Sequence, residues 1–270
     1  EHADAVYVVT SQLGFEGLLW GKRVRTFGMP FYAGWGLTQD EPPAPARRRP
    51  LSLDNLVHGA LVEYPRYLDP ETDRRCEPGR LIEWMALQRQ MHTRFPDTVY
   101  AVGFSYFKKP VVRKFFQGSR VRFVRTSEQA PDDATLVVWG QGYRDEKRPV
   151  VRVEDAFLRS VGLGVDLIRP LSWVMDTLGM YYDATAPSEL EQLLQTTEFS
   201  ADLLARAQQL QHRIVEQGLT KYNVGAGIWQ RPEGASRVIL VPGQVESDAS
   251  IRYGAPGIRS NMGLLQAVRQ

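Results

Sequence analysis

Uninterrupted runs of β-branched and aliphatic residues constrain this chain more than any other feature. VYAVG (99–103), VRFV (121–124), TLVVW (135–139) and VVRV (150–153) crowd into one stretch, and similar runs stand at 5–9, 23–27 and 238–241. Several of them show no polar alternation, so both faces of the strand must be covered, as in a parallel sheet flanked by helices. The expected class is therefore α/β.

Helical patterns fall between the strands. The segment 110–117 starts with Pro110 in its first turn and stops at Gly118. In 188–195, Ser188 stands three residues before Glu191, a capping box, with Leu190, Leu193 and Leu194 on one face. In 200–217, Leu203, Leu204, Ala207, Leu210 and Ile214 recur at helical spacing, with Gln, Arg and His outward and Gly218 closing the helix. Further helices are expected at 53–62 and 81–91. The composition breaks at DEPPAPARRRP (40–50), which reads as an exposed extended segment that does not pack. Arg47, Arg48 and Arg49 are then either a solvated charge run or a contact for an anionic membrane surface. A fresh strand-helix-strand pattern starts around 97, where a domain boundary is expected.

The charge balance excludes some functions. Thirty-three Lys and Arg against 31 Asp and Glu leave a net charge of +2, which does not suit a nucleic-acid-binding protein of the histone or polymerase kind. The single Cys76 has no internal disulfide partner, which fits a reducing cytoplasm. The histidines at 2, 58, 92 and 212 show no metal-ligand spacing, so no metal site is expected. No apolar run reaches the roughly 18–20 residues of a membrane-spanning helix.

Chemistry concentrates in three places. Thr10 and Ser11 lie where the run 5–9 gives way to the helical residues Leu13, Phe15, Leu18 and Leu19. Unpaired N–H groups there favour an anion, to which a hydroxyl adds a hydrogen bond. The same Ser equally caps its own helix, and Glu16 is equally a surface carboxylate. Beyond it, FYAGWG (31–36) either lines a pocket or turns a corner. In VEDAFLRSVGLG (153–164), Glu154 and Asp155 directly follow a strand, placing a carboxylate at the carboxyl edge of the sheet, where open α/β sheets hold ligands. They are equally a helix N-terminal charge pair. In VPGQVESDASIRYG (241–254), the expected strand 238–241 meets a Pro-Gly turn, and Gln244, Glu246, Asp248 and Ser250 follow closely. Two acidic segments at two strand ends of one sheet can flank a cleft, as acid/base and nucleophilic chemistry at a sugar centre requires.

VTSQLGFEGLLWGKRVRTFGMPFYAGWG, VEDAFLRSVGLG, PLSWVMDTLGMYYDATAPSELEQLL and VPGQVESDASIR together resemble the bacterial capsule polysaccharide β-Kdo transferases of the KpsC type, over almost the whole chain. The resemblance implies two consecutive glycosyltransferase modules, each a GT-B pair of Rossmann-like lobes. They use CMP-Kdo to build a β-linked Kdo linker on a phosphatidylglycerol-type lipid. By the order of motifs, 1–96 resembles the end of a nucleotide-binding lobe of an upstream module, with the Pro/Arg-rich segment and connecting helices. The remainder, 97–270, resembles the acceptor-side lobe of the next. The family's His-Pro motif for the CMP phosphate is expected soon after the DAS segment, yet no histidine here precedes a proline. The expectation is a piece spanning the junction, with neither module complete.

Residue by residue, the resemblance makes Ser11 and Gln12 donor-site residues at the CMP phosphate, with Glu16 near the ribose or base. Asp248 would attack the anomeric carbon of Kdo, Glu154 would handle the acceptor proton, and retention would follow from two displacements. Gln244, Ser250 and Arg159 are candidates for acceptor or pocket contacts. The implied partners are CMP-Kdo, a phosphatidylglycerol-linked Kdo acceptor, the anionic inner membrane touched peripherally, and capsule assembly and export proteins. No cofactor beyond the donor, no metal and no nucleic acid is expected. The implied location is cytoplasmic, at the inner face of the inner membrane. Two rivals remain: another nucleotide-sugar GT-B glycosyltransferase, and a non-catalytic capsule assembly scaffold.

Overall fold

The computed structural model describes residues 2–225 and 229–269. The chain divides into two compact units, Glu1–Arg89 and Gln90–Gln270.

In the first unit, β1 (Ala5–Val8), α1 (Leu13–Leu19) and β2 (Arg23–Thr26) make a βαβ unit with parallel strands, and β3 (Gln39–Asp40) extends the sheet beyond β2. Phe15 and Leu18 of α1 bury against Val24, Tyr32 and Leu56. Close seating of helix on sheet depends on Gly17, where a Cβ would stand 3.0 Å from Val6 Cγ2. A capping box between Ser52 and Asn55 starts α2 (Leu53–Val57), which continues into a π-helical turn, His58–Glu63. An antiparallel ribbon, β4 (Tyr67–Asp69) and β5 (Arg74–Cys76), leads to α3 (Pro78–His92).

The segment 40–50 forms no helix and is mostly exposed, as its composition implies, but the expectation that it does not pack is corrected at two residues, Asp40 and Arg48. Asp40 Oδ2 accepts from Gly34 N (2.7 Å), and its Oδ1 accepts from Thr26 Oγ1 (2.8 Å) and Thr38 Oγ1 (2.6 Å). Arg48 Nη1 donates to the carbonyls of Pro30 (2.8 Å) and Ala33 (2.7 Å), and its guanidinium stacks over Trp35. Prolines remove the segment's own ladder bonds. They do not stop its side chains from clamping the aromatic loop at 31–36.

In the second unit, β6 (Thr98–Val102), α4 (Lys109–Phe115), β7 (Arg120–Val124), β8 (Thr135–Trp139) and β9 (Val150–Asp155) give four parallel strands, and β10 (Trp173–Asp176) adds an antiparallel edge. The order is β10-β9-β8-β6-β7, so the winding direction reverses between β6 and β8. Val99, Ala101, Val137, Val151 and Val153 pack on one face of the sheet, and Val102, Leu136, Val138 and Val150 on the other. Burial on both faces is why these strands are written as continuous apolar runs.

The helices that follow are α5 (Glu189–Thr196), α6 (Ala201–Glu216), α7 (Ala249–Gly254) and α8 (Asn261–Val268). The Ser188–Glu191 capping box is present at α5. Leu203, Leu204 and Leu210 of α6 are about half exposed, so its apolar stripe meets no core among the described residues. The expected strand at 238–241 is not formed. VILV has the side chains of a strand, but no described strand pairs with it and Leu240 is 86% exposed, so intrinsic preference goes unused without a ladder.

Candidate functional site

The carboxyl edge of the five-stranded sheet gathers the chemistry of the second unit. Gly103 (φ +69°) follows β6 and Gly140 (φ +62°) follows β8, flanking the point where strand order reverses, and β9 ends on Glu154 and Asp155. Only glycine holds such φ values without strain, and turns of this kind leave space above the strand ends.

Glu154 is half-buried, and burial pushes its carboxyl above the usual carboxylate range. Asp155 adds to the rise, while a hydrogen bond from the Asp155 N–H (3.0 Å), Lys108 and Lys221 oppose it. Asp155 itself is tied down, its Oδ2 accepting from Arg159 Nε at 2.5 Å. Arg159 is buried. It also donates to Ser160 Oγ (2.9 Å) and to the Ile168 carbonyl (3.0 Å), so it holds the loop after β9 in place.

Tyr181 and Tyr182 stand over this edge on the loop after β10. Burial, reinforced by Glu154, pushes the Tyr181 phenol up to about 12 and the Tyr182 phenol higher still, and Asp248 contributes to both rises. Both phenols therefore stay protonated, and Tyr181 OH donates to the Asp155 carbonyl (3.4 Å). Tyr182 OH is buried without a hydrogen-bond partner among the described residues. A Cβ on Gly140 would lie 3.2 Å from that hydroxyl and 3.8 Å from Glu154 Oε2, so the two oxygens face one spot that glycine keeps open. Asp183 fixes the same loop, since its Oδ2 accepts from Gln141 Nε2 (2.8 Å) and pairs with Arg144.

The acidic turn at 244–250 reaches the same place despite the absent strand. Asp248 caps α7, its Oδ1 accepting from Ser250 N (2.9 Å) and Ser250 Oγ (2.7 Å), while Gln244 Nε2 donates to Ser250 Oγ (2.6 Å). Three of the residues singled out in the sequence, Gln244, Asp248 and Ser250, thus form one chain of hydrogen bonds. Glu246 is spent elsewhere, its Oε1 accepting from Asn261 N at 2.8 Å to hold the start of α8. α7 seats against Tyr182, whose carbonyl would be 2.7 Å from a Cβ on Gly254, and Arg144 lies over the Tyr253 ring. Glu154 and Asp248 are therefore both brought within electrostatic reach of one tyrosine pair.

In the first unit, Ser11 Oγ accepts from Leu13 N (3.2 Å) in a local turn, while the N-cap of α1 is Gln12, whose side chain makes no capping bond. Gln12 lines a cavity of about 650 Å³ with Phe15, Phe31, Trp35 and Tyr64, while Glu16 is exposed and outside that lining. FYAGWG both turns a corner and lines this cavity: Tyr32 and Ala33 are fully buried, and Phe31 and Trp35 face it. Among the described residues no group of three or more His, Cys, Asp or Glu could hold a metal ion.

Lys108, Gly140, Tyr181, Tyr182 and Asp183 were not singled out by spacing. Gly-Gln-Gly at 140–142, directly after an apolar strand, is the one local signal that could have pointed to them.

Residues 1–67 and 142–269 match the family described as capsule polysaccharide biosynthesis protein. The whole chain is 40% identical, over 290 residues, to the capsule polysaccharide modification protein LipA of Neisseria meningitidis serogroup A / serotype 4A, and it covers 41% of that protein. It is 36% identical over 186 residues to the lipopolysaccharide-processing protein LpsZ of Rhizobium meliloti, covering 61% of this chain and 42% of that one. Among solved structures, Thermosulfurimonas dismutans KpsC, named beta Kdo 2,7 transferase, superposes with a TM-score of 0.52 at 34% identity over 64% of this chain and 57% of that one. The chain thus spans about two-fifths of the length of the curated relatives it matches.

Proposed function

Since the chain belongs to the capsule polysaccharide biosynthesis protein family, we propose that the protein carrying it is a retaining β-Kdo transferase, with CMP-Kdo as donor and a lipid-linked Kdo glycan as acceptor. The observation that carries this reading is that β9 ends on a half-buried Glu154 at the sheet's carboxyl edge beside Tyr182, against which α7, capped by Asp248, is seated. It occurs in a chain 34% identical to a protein named beta Kdo 2,7 transferase.

The two carboxylates suit different steps. Asp248 Oδ1 is held by Ser250, leaving Oδ2 free of hydrogen bonds among the described residues. In the first step that oxygen bonds to the anomeric carbon as the bond to the CMP phosphate breaks, and the electron pair leaves with CMP. In the second, an acceptor hydroxyl attacks the same carbon, Asp248 departs as a carboxylate, and Glu154 takes the hydroxyl proton. A raised pKa suits Glu154 to that base role near neutral pH. Gln244 and Ser250 act here as positioning residues for Asp248. Ser11, Gln12 and Glu16 are assigned to donor binding by a preceding module. No described helix is long and apolar enough to cross a membrane; peripheral contact with the membrane that holds the lipid acceptor is part of the proposal.

The test uses the full-length protein, CMP-Kdo and a Kdo-terminated acceptor. Asp248→Asn should cut transfer by roughly 10³-fold or more while CMP still binds. Glu154→Gln should leave the first step and slow the second, so intact-mass spectrometry finds one added Kdo that peptide mapping places on Asp248. Near-wild-type turnover by Asp248→Asn, or an adduct on Glu246 or Asp155, overturns the assignment.

A further inference from the structure

Beside the acidic edge lies a cavity of about 400 Å³, within the roughly 300–1,000 Å³ of small-ligand sites. Its lining includes Phe107, Lys108, Trp139, Asp155, Arg169 and Trp173. Two features set this lining apart from an ordinary surface hollow.

The first is charge without partners. Asp155 is neutralised by Arg159, but neither Lys108 nor Arg169 has a carboxylate within ion-pairing distance among the described residues. Lys108 is half-buried, with its Nζ 3.1 Å from the centroid of the Trp139 ring and no hydrogen bond from its ammonium group among the described residues. The indole face holds the ammonium but satisfies none of its N–H groups. Burial lowers the Lys108 pKa, and Glu154 and Asp155 pull it back up. A partly desolvated cation of this kind gains most from an anion that donates nothing and accepts several hydrogen bonds.

The second is the combination of flat apolar faces with unsatisfied polar atoms. Trp139, Trp173 and Phe107 offer ring and edge surface to C–H groups. Trp173 Nε1 and Asp155 Oδ1, one donor and one acceptor, are buried without a hydrogen-bond partner among the described residues. Buried polar atoms left so cost about 1–3 kcal/mol each; neither is open to the cavity as it stands, so a hydroxylated guest or the water it brings offsets that cost by way of a small shift of a lining side chain. An anionic, hydroxyl-rich ring matches all of these at once.

We propose that this cavity is the subsite for the terminal sugar acid of the acceptor, with Lys108, supported by Arg169, recognising the sugar's carboxylate. Its place fits, because Asp155 lines the cavity and the neighbouring Glu154 carboxyl is within Coulombic reach of Lys108. The assignment rests on the sugar-acid reading given above, but it concerns how the acceptor is chosen rather than how the bond is made.

The experiment titrates the full-length protein, without donor, with the methyl β-glycoside of Kdo, with its carboxyl methyl ester, and with inorganic phosphate, by calorimetry or ligand-observed NMR. Wild type should bind the acid at least about tenfold more tightly than the ester, with phosphate a poor competitor. Lys108→Met should bind acid and ester alike, Lys108→Arg should restore much of the preference, and Arg169→Gln, an exposed change with little risk to folding, should reduce it several-fold. Preference for the acid retained in both Lys108→Met and Arg169→Gln overturns the proposal, as does equal loss of acid and ester binding in either. Displacement of the acid by equimolar phosphate makes the cavity a phosphate site and overturns it too. A wild type that binds the acid through Lys108 but transfers nothing defeats the transferase reading alone. A working transferase whose acceptor KM ignores Lys108 defeats this one alone.

Discussion

At the scale of single residues, Glu154 carries the sharpest consequence. Its pKa is raised in the folded chain chiefly by burial, so the folded state binds more protons than the unfolded one at pH values between the two pKa values. The sign follows: its influence favours folding fully below the unfolded value of about 4.3, and that advantage is lost as pH rises through the folded value. Glu154→Gln removes the buried charge. The variant should therefore melt above wild type at pH 8 and converge with it below about pH 4, as differential scanning calorimetry would read; a pH-independent difference would contradict the burial argument. The same shift places the acidic limb of the transfer rate above the ordinary carboxylate range. Gly140 belongs to this scale as well, because its φ of +62° and the room it leaves between Tyr182 and Glu154 are needs that one residue type meets.

At the scale of elements, loops are held by buried or half-buried charged side chains bonded to backbone. Asp176, 1% exposed at the end of β10, accepts from Leu178 N (2.8 Å), Gly179 N (2.8 Å) and Glu189 N (2.9 Å), so one carboxylate shapes the turn and seats the first turn of α5. Asp176→Ala strands those donors and should cost about 3 kcal/mol or more in urea unfolding, with Asp176→Asn milder because it keeps one acceptor oxygen. Arg48 plays the corresponding part in the first unit. Arg48→Ala should cost roughly 1–3 kcal/mol by freeing the Pro30 and Ala33 carbonyls and uncovering Trp35, while Arg47→Ala and Arg49→Ala stay within about 0.5 kcal/mol. Equal effects of all three would mean that the clamp is not formed. Any attraction to anionic lipid then falls to the exposed Arg47 and Arg49, each contributing about 1 kcal/mol near the surface.

At the scale of the whole molecule, stability is unevenly spread. The parallel sheet of the second unit is covered on both faces, whereas the described residues of 229–248 carry no helix or ladder and are almost all exposed. Limited trypsin digestion should therefore cut after Arg237 before it cuts after Arg47 or Arg48, even though the latter run is the richer target by composition; Arg231 and Arg49 each precede a proline and are not trypsin sites. First cleavage at 47–49, read by mass spectrometry of early fragments, would show that the packing of 40–50 is weaker than its hydrogen bonds imply.

What the sequence determined by itself is what depends on neighbours along the chain. The continuous runs at 99–103, 135–139 and 150–153 announced strands buried on both sides, and Ser188 with Glu191 announced the start of α5, because burial pattern and capping are local. Glu154 could be placed at a strand's carboxyl end for the same reason. The tertiary structure alone decided everything that needs a partner far away in sequence. VILV at 238–241 had the composition of a strand and no ladder to join, and DEPPAPARRRP had the composition of a linker until Asp40 and Arg48 found the 30–34 loop. Likewise, Tyr182, unremarkable in isolation, came to stand beside Glu154 at Gly140 and against α7 at Gly254. A hydrogen bond or a desolvated charge takes its energy from what stands opposite, and only the folded chain determines what stands there.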